Sequence, residues 1–216
     1  VNSKNYGIII KSFFPLKQKV SVLCKHAGKL SLIIASPEVC VRLSPGMLVL
    51  LELRKLGERF CAEQVAIVSA PMCGKDDLLW IHHLLELCYY FIPVGLEASD
   101  VYDAVAACLD ILSISKIFES NFDVVKKLCA FKVMCLLGFY PPKNLISYIP
   151  VFHYLVAVSV DSQNYGKVIS LNALLENISN NDIQCVNTWM LECMNTHHCS
   201  ALFKTYDFLK GISQPQ

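Results

Sequence analysis

Five short apolar stretches in the first seventy residues constrain this chain more than any other feature. YGIIIKSFF, KVSVLCKHA, GKLSLIIAS, GMLVLLELRK and RFCAEQVAIVSA are rich in Val, Ile and Leu, and Pro15, Gly28, the Ser44-Pro45-Gly46 run and Gly57 separate them. Five strands of this length predict a small barrel or sandwich. The five-stranded barrel called the OB-fold fits both the size and the strand count.

After Pro71 the rhythm becomes helical. A helix is expected over Lys75 to Tyr90, with Asp76 and Asp77 in its first turn, where the helix dipole favours negative charge. Ser99 or Asp100 can cap the next, whose apolar face is Val101, Val105, Cys108, Leu109 and Leu112. Asn121 or Asp123 can cap a third, carrying Val124, Leu128, Phe131 and Cys135; Gly138 can turn left-handed at its end, and Pro141 and Pro142 forbid continuation. These three helices are expected to form one bundle.

The stretches YLVAVSV and KVISL then read as strands of a β-hairpin turning around Asn164 to Gly166. Thr196 is expected to cap a last helix bearing Cys199, Leu202, Phe203, Tyr206 and Leu209, ended by Gly211. The expected class is α+β: an OB-fold barrel over residues 1–71, then a mainly helical domain with a small β-hairpin over 72–216.

At 216 residues, with 54% hydrophobic and 17% charged side chains, the chain is globular and not disordered. Its longest uncharged apolar run, Asn144 to Val160, contains Pro150 and His153 and falls short of the roughly 20 residues a spanning helix needs. A buried segment is expected there, and no membrane. VNSKNYGIII lacks the cationic region, apolar block and cleavage site of a secretory leader. Eleven cysteines at irregular spacing, several inside helical patterns (Cys88, Cys108, Cys129, Cys135), fit reduced thiols in the cytoplasm rather than a disulfide framework.

Net charge is +1, but Val1 to Ala70 holds ten Lys and Arg against four Glu, and the remainder nine Lys against fourteen Asp and Glu. A polyanionic partner would therefore meet the first part.

The order of motifs resembles the bacterial recombination mediator family RecO. Ile8 to Lys11 match that family's first strand, an apolar run followed by Lys. Gly28, Lys29 and Leu30 match the opening of its third, and Phe131, Leu136, Leu137, Gly138, Phe139 and Pro141 match its helical signature. Many members carry a zinc-binding insertion after that proline, built from two Cys-x-x-Cys pairs. Here no cysteine lies between Cys135 and Cys185, so that zinc site is absent, and the segment is expected to be the hairpin without its metal.

Two other constellations are weighed and set aside. Cys185, Cys193, His197, His198 and Cys199 include suitable metal donors, but a helix beginning at Thr196 would separate Cys193 from His197, and no metal is expected. His82 and His83 lie about 100° apart on a helix, so at most one faces the core, and no nucleophile signature accompanies them. With no phosphate-binding Gly-x-x-x-x-Gly-Lys-Ser/Thr loop either, neither an enzyme activity nor a cofactor is expected.

The resemblance implies a non-catalytic mediator of DNA recombination and DNA damage repair. Such a protein binds single-stranded DNA and its single-strand-binding protein, anneals strands and, with RecR, helps to load the RecA filament. The DNA-binding candidates are Lys11, Lys17, Lys19, Lys25, Lys29, Arg42, Arg54, Lys55 and Arg59, with Phe13, Phe14, His26 and Phe60 nearby in sequence as stacking aromatics. RecO proteins usually carry several basic residues after the third strand, whereas SPEVCVRLSPG offers Arg42 and Glu38. The plainer alternatives are a solvated basic surface on a protein-only interaction scaffold, or a thiol enzyme with a depressed cysteine pKa.

Overall fold

A computed structural model describes residues 3–57, 59–71, 73–113, 122–160 and 173–205. Two compact units divide the chain, Val1–Ala106 and Ala107–Gln216.

The first unit is built on the expected five strands: β1 (Ser3–Ser12), β2 (Lys19–Cys24), β3 (Gly28–Ile34), β4 (Leu48–Leu56) and β5 (Arg59–Ser69). They close into a barrel in the order β1-β2-β3-β5-β4. All neighbours run antiparallel except β3 and β5, which pair in parallel over Leu32–Ile34 and Phe60–Ala62. This is the OB-fold barrel. Alternation explains its core: Ile9, Val20, Val22, Leu30, Leu32, Ile34, Val49, Leu51, Leu53 and Ala62 all point inward. A short helix α1 (Pro37–Cys40), capped by Ser36, adds Cys40 to that core, and the loop after it adds Leu43.

Helix α2 (Lys75–Phe91) packs on β1 within the same unit, so the compact unit continues past the change of rhythm at Pro71. Its buried residues are Trp80, Ile81, His83, Leu84, Leu85, Leu87 and Cys88, while His82 is exposed; one histidine of the pair faces inward, as the helical angle requires. Helix α3 (Ser99–Ser113) begins at Ser99 itself, so the capping position falls to Ala98, whose carbonyl accepts from Tyr102 N–H at 2.9 Å.

In the second unit, α4 (Phe122–Leu136) is buried from Val125 through Phe131. It ends as its sequence demands. Gly138 sits at φ +95°, its N–H bonds the Cys135 carbonyl at 3.1 Å, and Phe139 N–H reaches back to Met134 at 3.2 Å. These are the two bonds of a Schellman ending. A 3-10 turn (Lys143–Tyr148) leads into α5 (Ile149–Val160).

Here the structure corrects the strand expected at YLVAVSV, which is the second half of α5. Pro150 occupies the second helical position, where its missing N–H costs nothing, and Phe152 and Leu155 are buried three residues apart. Helical burial on one face outweighs the β-propensity of the valines. The expected turn at Asn164 to Gly166 and the strand after it lie outside the described residues.

Helix α6 (Asn180–Asn195) was not anticipated, although Ser179 and Asp182 form a capping box at its start. Its Trp189 meets Phe131 of α4 edge-on, with ring centroids 5.1 Å apart. Thr196 closes this helix instead of opening a new one. Its hydroxyl donates to the Cys193 carbonyl at 2.8 Å, a use that belongs to a C-terminus. A 3-10 turn (Ser200–Leu202) and buried Phe203 follow; Tyr206, Leu209 and Gly211 lie outside the described residues.

Candidate nucleic-acid interface

Strand register brings basic residues from distant parts of the barrel to one end. Lys19 is level with Ile33, Ile33 with Cys61, and Cys61 with Arg54. Their strand neighbours Val20, Leu32, Ile34, Ala62 and Leu53 fill the core, so Lys19, Ile33 and Arg54 face outward, while Cys61 between them is buried. At about 4.8 Å per strand the row spans roughly 14 Å. Lys17 lies in the β1–β2 loop at one end; Lys55 and Arg59 flank the tight β4–β5 turn at the other, where Gly57 takes φ +62°. All three are exposed. These two loops border the ligand face of OB-folds in general.

Lys11 joins them through a fault in the pleat. Ile9 pairs with Val22, but Lys11 pairs with Ser21, so Ile10 is a bulge. Without it, alternation would aim Lys11 into the barrel beside Ile9; with it, Lys11 turns outward. There its ammonium lies 4.1 Å from the ring centroid of Tyr89, 5.4 Å from Phe13 and 5.8 Å from Tyr90. Lys19 sits 5.3 Å from the Phe13 ring. Tyr89 and Tyr90 come from the last turn of α2 and stand edge to face at 5.0 Å. Cations held over aromatic faces without desolvating acids are attracted by the ring quadrupole. No carboxylate pairs with Lys11, Lys19 or Lys29 among the described residues.

The other candidates are placed differently. Lys29, expected on an accessible face, is buried, and its ammonium donates to the Tyr89 carbonyl at 2.5 Å. It thereby caps the C-terminal turn of α2, where a cation also complements the helix dipole. Burial lowers its pKa, with only the nearby Cys88 pulling the other way. Lys25 lies at the far end of β2, six residues or about 20 Å from Lys19, and pairs with Asp103 at 2.9 Å. Arg54 pairs with Glu63 at 3.1 Å. Arg42 is exposed in the loop after α1. Phe14 and His26 are exposed, whereas Phe60 packs against the barrel core. The nine cations therefore form no single patch: one rim carries Lys11, Lys17, Lys19, Arg54, Lys55 and Arg59. Tyr89 and Tyr90 are the members that sequence reasoning missed, because only the docking of α2 on β1 brings a helix end beside a strand bulge.

Five of the eleven thiols are tuned away from nucleophilic duty. Burial pushes Cys24 and Cys88 up to about 12 and Cys135 to about 11, and raises Cys40 and Cys193. A catalytic thiolate needs the opposite shift. His197, His198 and Cys199 have donor atoms within 4.8 Å of one another, on the turn that follows α6 rather than within a new helix. Among the described residues, no helix is long and apolar enough to cross a membrane. A scan against protein-family models returns no match, and no curated protein matches the chain.

Proposed function

We propose that the chain is a non-catalytic, single-stranded-DNA-binding mediator of recombinational repair, acting in the cytoplasm in the manner of the RecO family it resembles. One observation carries this reading: the strand register gathers Lys17, Lys19, Arg54, Lys55 and Arg59 at the end of an OB-fold barrel, beside aromatic faces. Phosphates along a strand would displace counterions at this rim, and bases would stack where the rings stand. A protein that neutralises phosphates lowers the repulsion between two strands and so promotes annealing. The single-strand-binding protein, RecR and, through them, the RecA filament are the partners this reading expects, and no cofactor enters it.

A second reading, a protein-only scaffold, is favoured by the ion pairs that occupy Lys25 and Arg54 and by exposed Ile67 and Val68 on β5. The two are separated by fluorescence anisotropy of a labelled oligonucleotide at low and moderate salt. Binding that weakens by tenfold or more on replacing Lys17, Lys55 and Arg59 with Gln together, and that falls steeply with salt, supports the mediator. Absence of binding at low salt leaves the scaffold.

A further inference from the structure

We propose that Phe13, Tyr89 and Tyr90 form a seat for one nucleobase of a single strand, and that Lys11 covers this seat in the free protein. This deepens the proposed function and rests on it. Three aromatic rings converge on one ammonium: Tyr89 at 4.1 Å, Phe13 at 5.4 Å and Tyr90 at 5.8 Å. Phe13 and Tyr89 stand 6.4 Å apart, tilted by 56°. A ring face held this way has two possible partners, a cation or another π-system. In the free protein the cation is internal.

The seat is built from parts that hold their positions. The bulge at Ile10 aims Lys11 outward. Lys29 fastens the Tyr89 main chain to β3, so the ring is presented from a clamped backbone rather than from a loose helix end. Lys11, Lys19 and Lys29 gather three positive charges around Phe13 and Tyr89, and none of the three is ion-paired to a carboxylate among the described residues. Such a group is complemented by an anion. A nucleotide supplies both needs at once: its base takes the Tyr89 face, and its phosphate takes the ammonium that the base displaces. Lys11 thus moves from ring to phosphate. Phe13 continues the path to Lys19 and so to the row ending at Arg54.

The test compares a base-containing oligonucleotide with an abasic strand of equal length, by anisotropy, on the full chain. Wild type should prefer the strand with bases. Tyr89→Ala should bind that strand on the order of tenfold more weakly and lose the preference, because stacking contributes only where there is a base. Tyr89→Phe should restore both. Lys11→Gln should reduce the salt slope of the base-containing strand by about one unit and change that of the abasic strand less, because only a base displaces the ammonium onto a phosphate. The inference is overturned if Tyr89→Ala keeps the wild-type preference, or if Lys11→Gln leaves the salt slope unchanged, while wild type still binds DNA. Failure of wild type to bind either strand overturns the underlying reading as well. Lys11→Gln leaves the ring cluster and its packing in place, so it tests the idea even if Tyr89→Ala folds poorly.

Discussion

Gly28, Lys29 and Leu30 show what a short motif is for. Gly28 sits at φ +64°, and a methyl group on it would lie 1.6 Å from the Leu96 carbonyl oxygen, a main-chain atom that cannot step aside. Gly28→Ala should therefore cost roughly 2–3 kcal/mol, measured by urea unfolding, more than a surface glycine such as Gly57 would. Lys29 closes the end of α2, and Leu30 enters the barrel core. Lys29→Met keeps the apolar stem and leaves the Tyr89 carbonyl without this donor, but also relieves the desolvation that lowers the lysine's pKa, so it should lower stability by about 1 kcal/mol. If that variant instead binds DNA poorly at full stability, Lys29 serves the ligand and not the helix. The sequence could show that glycine and lysine stand together; it could not show that the lysine is buried, because the buried partner is a carbonyl sixty residues away.

Elements were legible where one periodicity ran unopposed. All five strands and helices α2 to α4 follow from pattern and turn residues, since a barrel with a single apolar core forces strict alternation. Helix α5 was misread because its valines alternate as a strand's would, and its geometry is decided by Phe152 and Leu155 entering a core that the sequence does not display. Helix α6 did carry a signal: Ser179 and Asp182 three apart, then Ile183, Val186, Met190 and Met194 at helical spacing. Its cap makes a pH prediction. The Ser179 hydroxyl, the Tyr148 hydroxyl and the Ser179 N–H hold the Asp182 carboxyl below its usual pKa, while burial and then Asp182 itself push Tyr148 up to about 12. The carboxylate thus stabilises the fold above the unfolded value near 3.9, and this contribution is lost as pH falls from there through the folded value. Asp182→Asn should flatten the acid limb of stability measured against pH below about 4 and leave the slope at neutral pH unchanged. An unaltered acid limb would refute the role assigned to the box.

For the molecule as a whole, charge is arranged rather than accumulated. The first unit holds eleven Lys and Arg against ten Asp and Glu once Glu97 and the acids of α2 and the start of α3 are included, so it has almost no net charge with which to attract DNA from a distance. Affinity must come from the rim. Association should therefore be slower than for a strongly basic protein, and removing two or three rim cations should matter more than their share of the total suggests.

The closure of the barrel has a consequence for how the protein is made. β3 waits for a neighbour that is encoded after β4, and it receives only three paired residues when Phe60–Ala62 arrive. Until translation has passed Ala62, the nascent chain carries GKLSLII with one open edge. On the ribosome this edge needs protection for as long as about thirty more residues take to emerge, seconds at usual elongation rates.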